Sequence, residues 1–279
     1  MKIDETGLDD IIDLSRYPID ALETQAGKRL IARCARDLES KALCLLPAFV
    51  RPSALSGMVK EAESLVPRAY YRQDVMKFSG DEQADKKWPL GHPNRADIPG
   101  RYRQVLSEDI PTNHLLRRLY MWSGLTEFIR LVFGFDTMYR SHCPHLSLTL
   151  KIAGPGDTDG WHYDGNDGVV SLLLQKPDNG GQFEYAPYIR SPNDERYDAL
   201  GRVFADPRTH AERPNLAPGT FVLFNGNLSV HRVAPVGETT QPRIVSLLSY
   251  DRHPDQVFSP EYVEYMRRFP TDAKAQATL

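Results

Sequence analysis

The sequence predicts an α+β fold, in which helices come first and pack on an antiparallel β-sandwich or barrel built from the second half of the chain. Three observations carry this. Between Thr24 and Phe133 apolar residues recur every three or four positions, whereas from Leu146 they recur every second position. The later apolar runs are also short and bounded by Asn-Gly, Pro-Gly or Pro. With 279 residues, 41% hydrophobic and 25% charged, the chain has ordinary globular composition and can bury a core without a disulfide framework.

The elements follow in order. From Thr24 to Glu39, Ala26, Leu30, Ile31, Cys34, Ala35 and Leu38 form one helical stripe. Ala42 to Val50 reads as a short buried strand. A second amphipathic helix begins after Pro52, carries Leu55, Met58, Val59, Ala62, Leu65 and Val66 on one face, and stops at Pro67. Gly80 to Gly100 is polar and holds Trp88-Pro89, His92-Pro93 and Ile98-Pro99, which predicts a long loop able to serve as a lid. Two helical stripes over Leu115 to Phe133 break near Ser123-Gly124.

Leu146, Leu148, Leu150 and Ile152 then alternate with Ser147, Thr149 and Lys151, as in a half-buried strand. Val169 to Leu174, Gly181 to Pro187, Thr220 to Phe224 and Arg243 to Tyr250 are further strands, interrupted by a charged insertion over Tyr188 to Pro218. No stretch has linker composition. One domain over 1–279 is expected: a mainly helical buttress with the lid loop over 1–140, a β core over 141–255, and a C-terminal helix and tail over 256–279.

Charge narrows the function classes. Lys and Arg number 34 against 37 Asp and Glu, a net charge of −3, so no basic field exists to gather nucleic acid or an anionic membrane. Cys34, Cys44 and Cys143 lack any CxxC spacing, which suits a reducing cytoplasm and argues against a zinc knuckle. Asp4 and Glu5 stand where a signal peptide would be basic, and the longest apolar runs fall short of the roughly 20 residues of a membrane helix. A cytoplasmic enzyme is the expectation.

Chemistry concentrates in Gly160-Trp161-His162-Tyr163-Asp164-Gly165. A His and a carboxylate two residues apart on an extended chain project from one face and can grip one ion. A distant His, His231 in Ser229-Val230-His231-Arg232-Val233, would complete a two-His-one-carboxylate triad with open positions for Fe(II). Turn capping by Asp164 is the bland alternative. Two other pairs compete: His253-Pro254-Asp255, whose proline restricts the backbone and which no histidine follows, and His210-Ala211-Glu212, within the charged insertion. Arg243, twelve residues beyond His231, shares a strand face with Val245 and Leu247. If that face is interior, its guanidinium needs an anion, either a ligand carboxylate or a structural partner.

On these residues the run from Gly156 to Tyr250 resembles the Fe(II)/2-oxoglutarate-dependent oxygenases. Ser171-Leu172-Leu173-Leu174-Gln175-Lys176-Pro177, Gly180-Gly181-Gln182-Phe183-Glu184-Tyr185-Ala186-Pro187, Pro218-Gly219-Thr220, Phe224-Asn225-Gly226 and His231-Arg232-Val233 are similar to one branch, the BesD-like free amino-acid halogenases and hydroxylases. The resemblance implies a double-stranded β-helix, or jelly-roll, core. It implies Fe(II) on His162, Asp164 and His231, 2-oxoglutarate as co-substrate with its far carboxylate on Arg243, and O₂ as oxidant. Halogenases of that branch have a small residue where Asp164 stands, with chloride on the vacated iron position. Retention of Asp164 therefore implies hydroxylation of an unactivated C–H, with succinate and CO₂ as co-products, or the same oxidation ending in desaturation or cyclisation.

Many superfamily members pair the arginine with a serine two residues on, but here that residue is Val245, and Thr149 is expected to supply the hydroxyl instead. For a free amino acid or derivative as substrate, Trp161, Tyr163, Asn166 and Asp167 are candidate pocket residues, Asp157 and Asp159 further amine acceptors, and Arg95 and Arg101 candidate carboxylate partners. The expected partner is that small molecule, with no nucleic acid or membrane; a second copy of the chain is the one macromolecular partner left open. Two rival classes are a cupin-like metalloenzyme that does not use 2-oxoglutarate and a non-catalytic jelly-roll binding module. Arg243 and the Asp of the triad weigh against both.

Overall fold

The computed structural model describes residues 8–269; the N-terminal acidic stretch and the tail beyond residue 269 lie outside the described residues. Eleven strands form one sheet: β1 (Leu43–Leu46), β2 (Tyr70–Lys77), β3 (Asp97–Val105), β4 (Tyr139–Arg140), β5 (Leu148–Ala153), β6 (Thr158–His162), β7 (Gly168–Gln175), β8 (Phe183–Ala186), β9 (Phe221–Phe224), β10 (Val230–Val233) and β11 (Arg243–Asp251). Their order is β1-β9-β7-β11-β5-β3-β6-β10-β8, with β2 on β3 and β4 on β11, and every pairing is antiparallel.

Residue parity explains how this sheet is sandwiched. Leu148, Leu150, Ile152, Val170, Leu172, Leu174, Phe221, Leu223, Ile244 and Leu248 face one way, into a core shared with the helices. Their neighbours Lys151, Ala153, Ser171, Leu173, Val222, Phe224, Arg243, Val245 and Leu247 face the other way and line a cavity that β6, β8 and β10 also surround. The sheet is thus rolled on itself, the curled jelly-roll core expected. β5 is therefore buried on both faces rather than one: its polar alternates Thr149 and Lys151 point into the roll, not to water.

The helical buttress comprises α1 (Gln25–Lys41), α2 (Pro52–Ser64), α4 (Leu115–Met121) and α5 (Ser123–Phe133). Thr24 caps α1 by accepting from the Gly27 amide, and Leu30, Cys34 and Leu38 fall one turn apart on its buried face. Each fully buried leucine of this kind stabilises the fold by roughly 1.5–3 kcal/mol. As expected, α4 and α5 are separate helices, divided at Trp122. Among the described residues no helix is long and apolar enough to cross a membrane.

Two parts differ from expectation. The first half holds the hairpin β2–β3, and the presumed loop 80–100 contains α3 (Ala84–Lys87), a 3-10 turn at Pro93–Arg95 and the start of β3. Its prolines hid the strand. Pro99 stands opposite Val75 of β2, in a stretch that pairs on one side only, where its missing N–H costs nothing. The insertion 188–218 folds into α6 (Tyr197–Ala205) and α7 (Pro207–His210), and α6 buries Leu200 and Val203.

A buried carboxylate ties β8 to β10. Glu184, 4% exposed, accepts from Arg213 Nε at 2.6 Å and from Arg232 Nε at 2.7 Å. Removing it takes a charged acceptor from two partly exposed arginines, of which Arg213 keeps the Arg208 and Pro207 carbonyls, so Glu184→Ala should lower stability by about 2 kcal/mol in urea denaturation. A change within about 0.5 kcal/mol, the scale of an ordinary surface substitution, would show the clasp to be idle.

Candidate metal centre and its two chambers

His162 ends β6, and His231 lies directly opposite it on β10. Their rings sit 4.2 Å apart between centroids. Asp164, on the turn after β6, brings Oδ1 to 3.5 Å from His231 Nε2. One ligand atom from each of the three residues falls within 4.8 Å of the others, and no other such cluster of His, Cys, Asp and Glu is present among the described residues. His253-Pro254-Asp255 and His210-Ala211-Glu212 build no such group.

The histidine tautomers are fixed by the backbone. His162 Nδ1 lies 2.7 Å from the Gly160 carbonyl and His231 Nδ1 3.0 Å from the Ser229 carbonyl. A carbonyl only accepts, so both Nδ1 atoms carry a proton, and in the neutral ring each Nε2 keeps the lone pair that a metal ion requires. Burial, then the neighbouring His231, pushes the His162 imidazole down to about 4, so it is neutral and able to ligate. Burial pulls on His231 in the same direction, but the Asp164 carboxylate outweighs it and raises that pKa. Burial likewise works against the Asp164 carboxylate, but His231, His162 and Lys151 together lower its pKa. Two imidazoles and one carboxylate, with nothing else ligating, form the donor set of non-haem Fe(II) with open positions.

The site needs an extra residue in β6. His231 pairs with His162 and Val233 with Asp159, so two steps on β10 oppose three on β6. This bulge turns Asp159 and His162 onto the same face, where a regular strand would send one of them outward.

Two chambers meet at the triad and share Tyr102, Lys151, Asp159, His162, Asp164 and Leu247. The inner one, inside the roll, ends at Arg243, which is 7% exposed and has no hydrogen-bond or ion-pair partner among the described residues. Burial pushes its pKa down to about 10, with Asp159 pulling weakly the other way, so it stays charged at neutral pH. A buried, cationic, unpartnered fork is a receptor for a ligand carboxylate. Arg243 could hold the carboxylate of an anionic ligand in the inner chamber, and the triad could hold a metal ion. Fe(II) and 2-oxoglutarate are therefore the cofactors this site is built to take.

Thr149 does not stand beside Arg243. Arg243 pairs with Ala153, four residues and about 13 Å along β5 from Thr149, and Thr149 lines the outer chamber instead. The free hydroxyl in the inner chamber is Ser171 of β7, while Thr158 Oγ1 is committed to the Val233 carbonyl at 2.7 Å.

The outer chamber is lined by Trp161, Tyr163 and Asn166, with Arg72, Phe78 and, from the C-terminal helix α8 (Pro260–Arg267), Tyr262 and Tyr265. Trp161 stacks on Phe204 of α6 and lies under the Arg232 guanidinium. The buried Tyr163 hydroxyl makes no hydrogen bond among the described residues. Lys151 and Asp159 form an ion pair in the wall between the chambers. Burial is the largest influence on each and opposes its charge, yet the partner's charge keeps both ionised.

Other sequence candidates are engaged elsewhere. Arg95 pairs with Asp85 at 3.0 Å and donates to the Trp88 carbonyl. Arg101 pairs with Asp157 at 3.0 Å and donates to the Tyr71 hydroxyl. Asp167 is held by Arg252 at 2.9 Å. None of these lines either chamber. Sequence reasoning missed Lys151, Arg72 and Tyr102; only a lysine at an inward position of β5 signalled the first.

Comparison with known proteins agrees with the fold. EctD from S. alaskensis, solved with 2-oxoglutarate and 5-hydroxyectoine, is 20% identical over 79% of this chain and 75% of its own, with a TM-score of 0.52. The epimerase SnoN from nogalamycin biosynthesis, solved with Fe3+ and alpha ketoglutarate, is 12% identical over 80% and 84%, at 0.51. The carbocyclase SnoK from the same biosynthesis is 13% identical over 86% and 91%, at 0.54. These likenesses show the fold. No curated protein matches the sequence. A family model described as halogenase D matches residues 26–261. The chain belongs to the halogenase D family.

Proposed function

We propose that this protein is an Fe(II)- and 2-oxoglutarate-dependent dioxygenase that hydroxylates an unactivated C–H of a free amino acid or a close derivative, giving succinate and CO₂ as co-products. One observation carries the choice of hydroxylation over halogenation. The Asp164 carboxylate lies among the metal-binding atoms, 3.5 Å from His231 Nε2, where the resembled halogenases keep a small residue and a chloride. The same site could end in desaturation or cyclisation, and product mass separates these outcomes.

When bound, iron supplies the activation of O₂ and the oxidising power. The protein's own groups do the rest. The Gly160 and Ser229 carbonyls aim the two imidazoles, and Arg243 anchors the co-substrate by its far end. Phe78, Trp161 and Tyr163 give the outer chamber an aromatic wall that excludes water from the reacting carbon. The amino-acid reading draws on charges of both signs in that chamber: Lys151 with Asp159, and Arg72, which Asp74 holds from outside it at 2.8 Å. A zwitterion exchanges partners with such pairs without leaving a buried charge alone.

The test is turnover with Fe(II), 2-oxoglutarate, O₂ and chloride on a panel of free amino acids, read by succinate and product mass. One member should raise succinate about tenfold or more above background and gain one oxygen. A chlorinated product would overturn the hydroxylase reading, and background succinate throughout would overturn the substrate class. Anaerobic Fe(II) protein should also develop a visible charge-transfer band with 2-oxoglutarate; its absence would remove the cofactor pair.

A further inference from the structure

We infer that Gly226 is a positioning residue for the metal centre, because its missing side chain is the space the Asp164 carboxylate occupies. This rests on the reading of Asp164 as a metal ligand. Gly226 is buried in the turn between β9 and β10. Its φ lies outside the left-handed region, so conformational freedom does not explain a glycine there. Room does. A Cβ at Gly226 would fall 1.8 Å from Asp164 Oδ2, 2.6 Å from its Cγ and 3.1 Å from its Cβ. Of the neighbouring glycines, Gly165 has no atom within 4 Å of such a position, and Gly160 meets Ile98 and Pro99.

The backbone of the two turns cannot separate cheaply to relieve the contact. The Asp164 amide donates to the Gly226 carbonyl at 3.1 Å, and Asn227 Nδ2 donates to the Asp164 carbonyl at 3.4 Å. What remains free is rotation of the Asp164 side chain, and rotation takes the carboxylate away from His231. Positions 164 and 226 therefore act as one unit: a carboxylate at the first needs a glycine at the second.

Co(II) binding, followed by visible absorption, tests this in four proteins: the unaltered chain, Gly226→Ala, Asp164→Gly and the double variant, with circular dichroism to check the fold. Gly226→Ala should weaken Co(II) about 10- to 100-fold, the range for losing a ligand's support, and Asp164→Gly at least as much. Adding Gly226→Ala to Asp164→Gly should change affinity less than about twofold, since no carboxylate is left to displace. Unchanged Co(II) binding in Gly226→Ala, or an equal loss in both backgrounds, would overturn the inference. If Gly226→Ala alone fails to fold, the double variant should fold; its failure would also overturn it. Asp164→Gly binding Co(II) like the unaltered chain would instead remove Asp164 from the metal, a distinct failure of the underlying reading.

Discussion

Asp164→Gly is expected to cut turnover of the substrate by two orders of magnitude or more, which is about 2.7 kcal/mol of transition-state stabilisation, while the fold survives. Asp164 sits on a turn after β6, outside the strand ladders, so its removal leaves the sheet pairing intact. Its polar neighbour is His231 Nε2 at 3.5 Å. The loss should therefore appear first in metal retention. Anaerobic Fe(II) titration should show affinity falling beyond the roughly 10- to 100-fold that a supporting contact is worth. Undiminished turnover would mean that the carboxylate is not a ligand.

Arg243→Ala is expected to raise the 2-oxoglutarate requirement about 100- to 1000-fold, or roughly 2.7–4 kcal/mol, within the range for truncating one partner of a buried charge pair. The Fe(II) requirement should stay within about twofold. The asymmetry follows from geometry: Arg243 lies at the end of the inner chamber, has no protein anion, and touches no member of the triad. Arg243→Lys should recover part of the loss, since an ammonium keeps the charge but not the planar fork. Equal effects on iron and co-substrate would make Arg243 a structural residue.

Much of the frame is written in residue parity. The alternation on β5 and β11 places Arg243 inside with Val245 and Leu247, and the structure has it there. His162, Asp164 and His231 were recognisable because a His-x-Asp pair and one distant His suffice to suggest a metal. What local pattern could not reveal was depth. Arg95, Arg101 and Asp167 carry suitable charge, but Asp85, Asp157 and Arg252 hold them outside the chambers, and those partners are set by tertiary structure. Thr149 has the right parity and the wrong height along β5. The hairpin β2–β3 was masked by Pro99 and by a polar strand, Tyr70–Lys77, that shows no apolar alternation. Gly226 belongs to a turn whose meaning depends on a residue far away in sequence.

The bulge in β6 makes the centre sensitive to strand register as well as to composition. Because three residue steps on one strand answer two on the other, regular pairing of this stretch at its present length would send Asp159 or the histidine through the wall of the barrel. Gly160 inside the bulge is fixed as well, since a side chain there would run into Ile98 and the Pro99 carbonyl. Loop grafting among relatives should therefore keep Asp159 to Asp164 as one indivisible cassette.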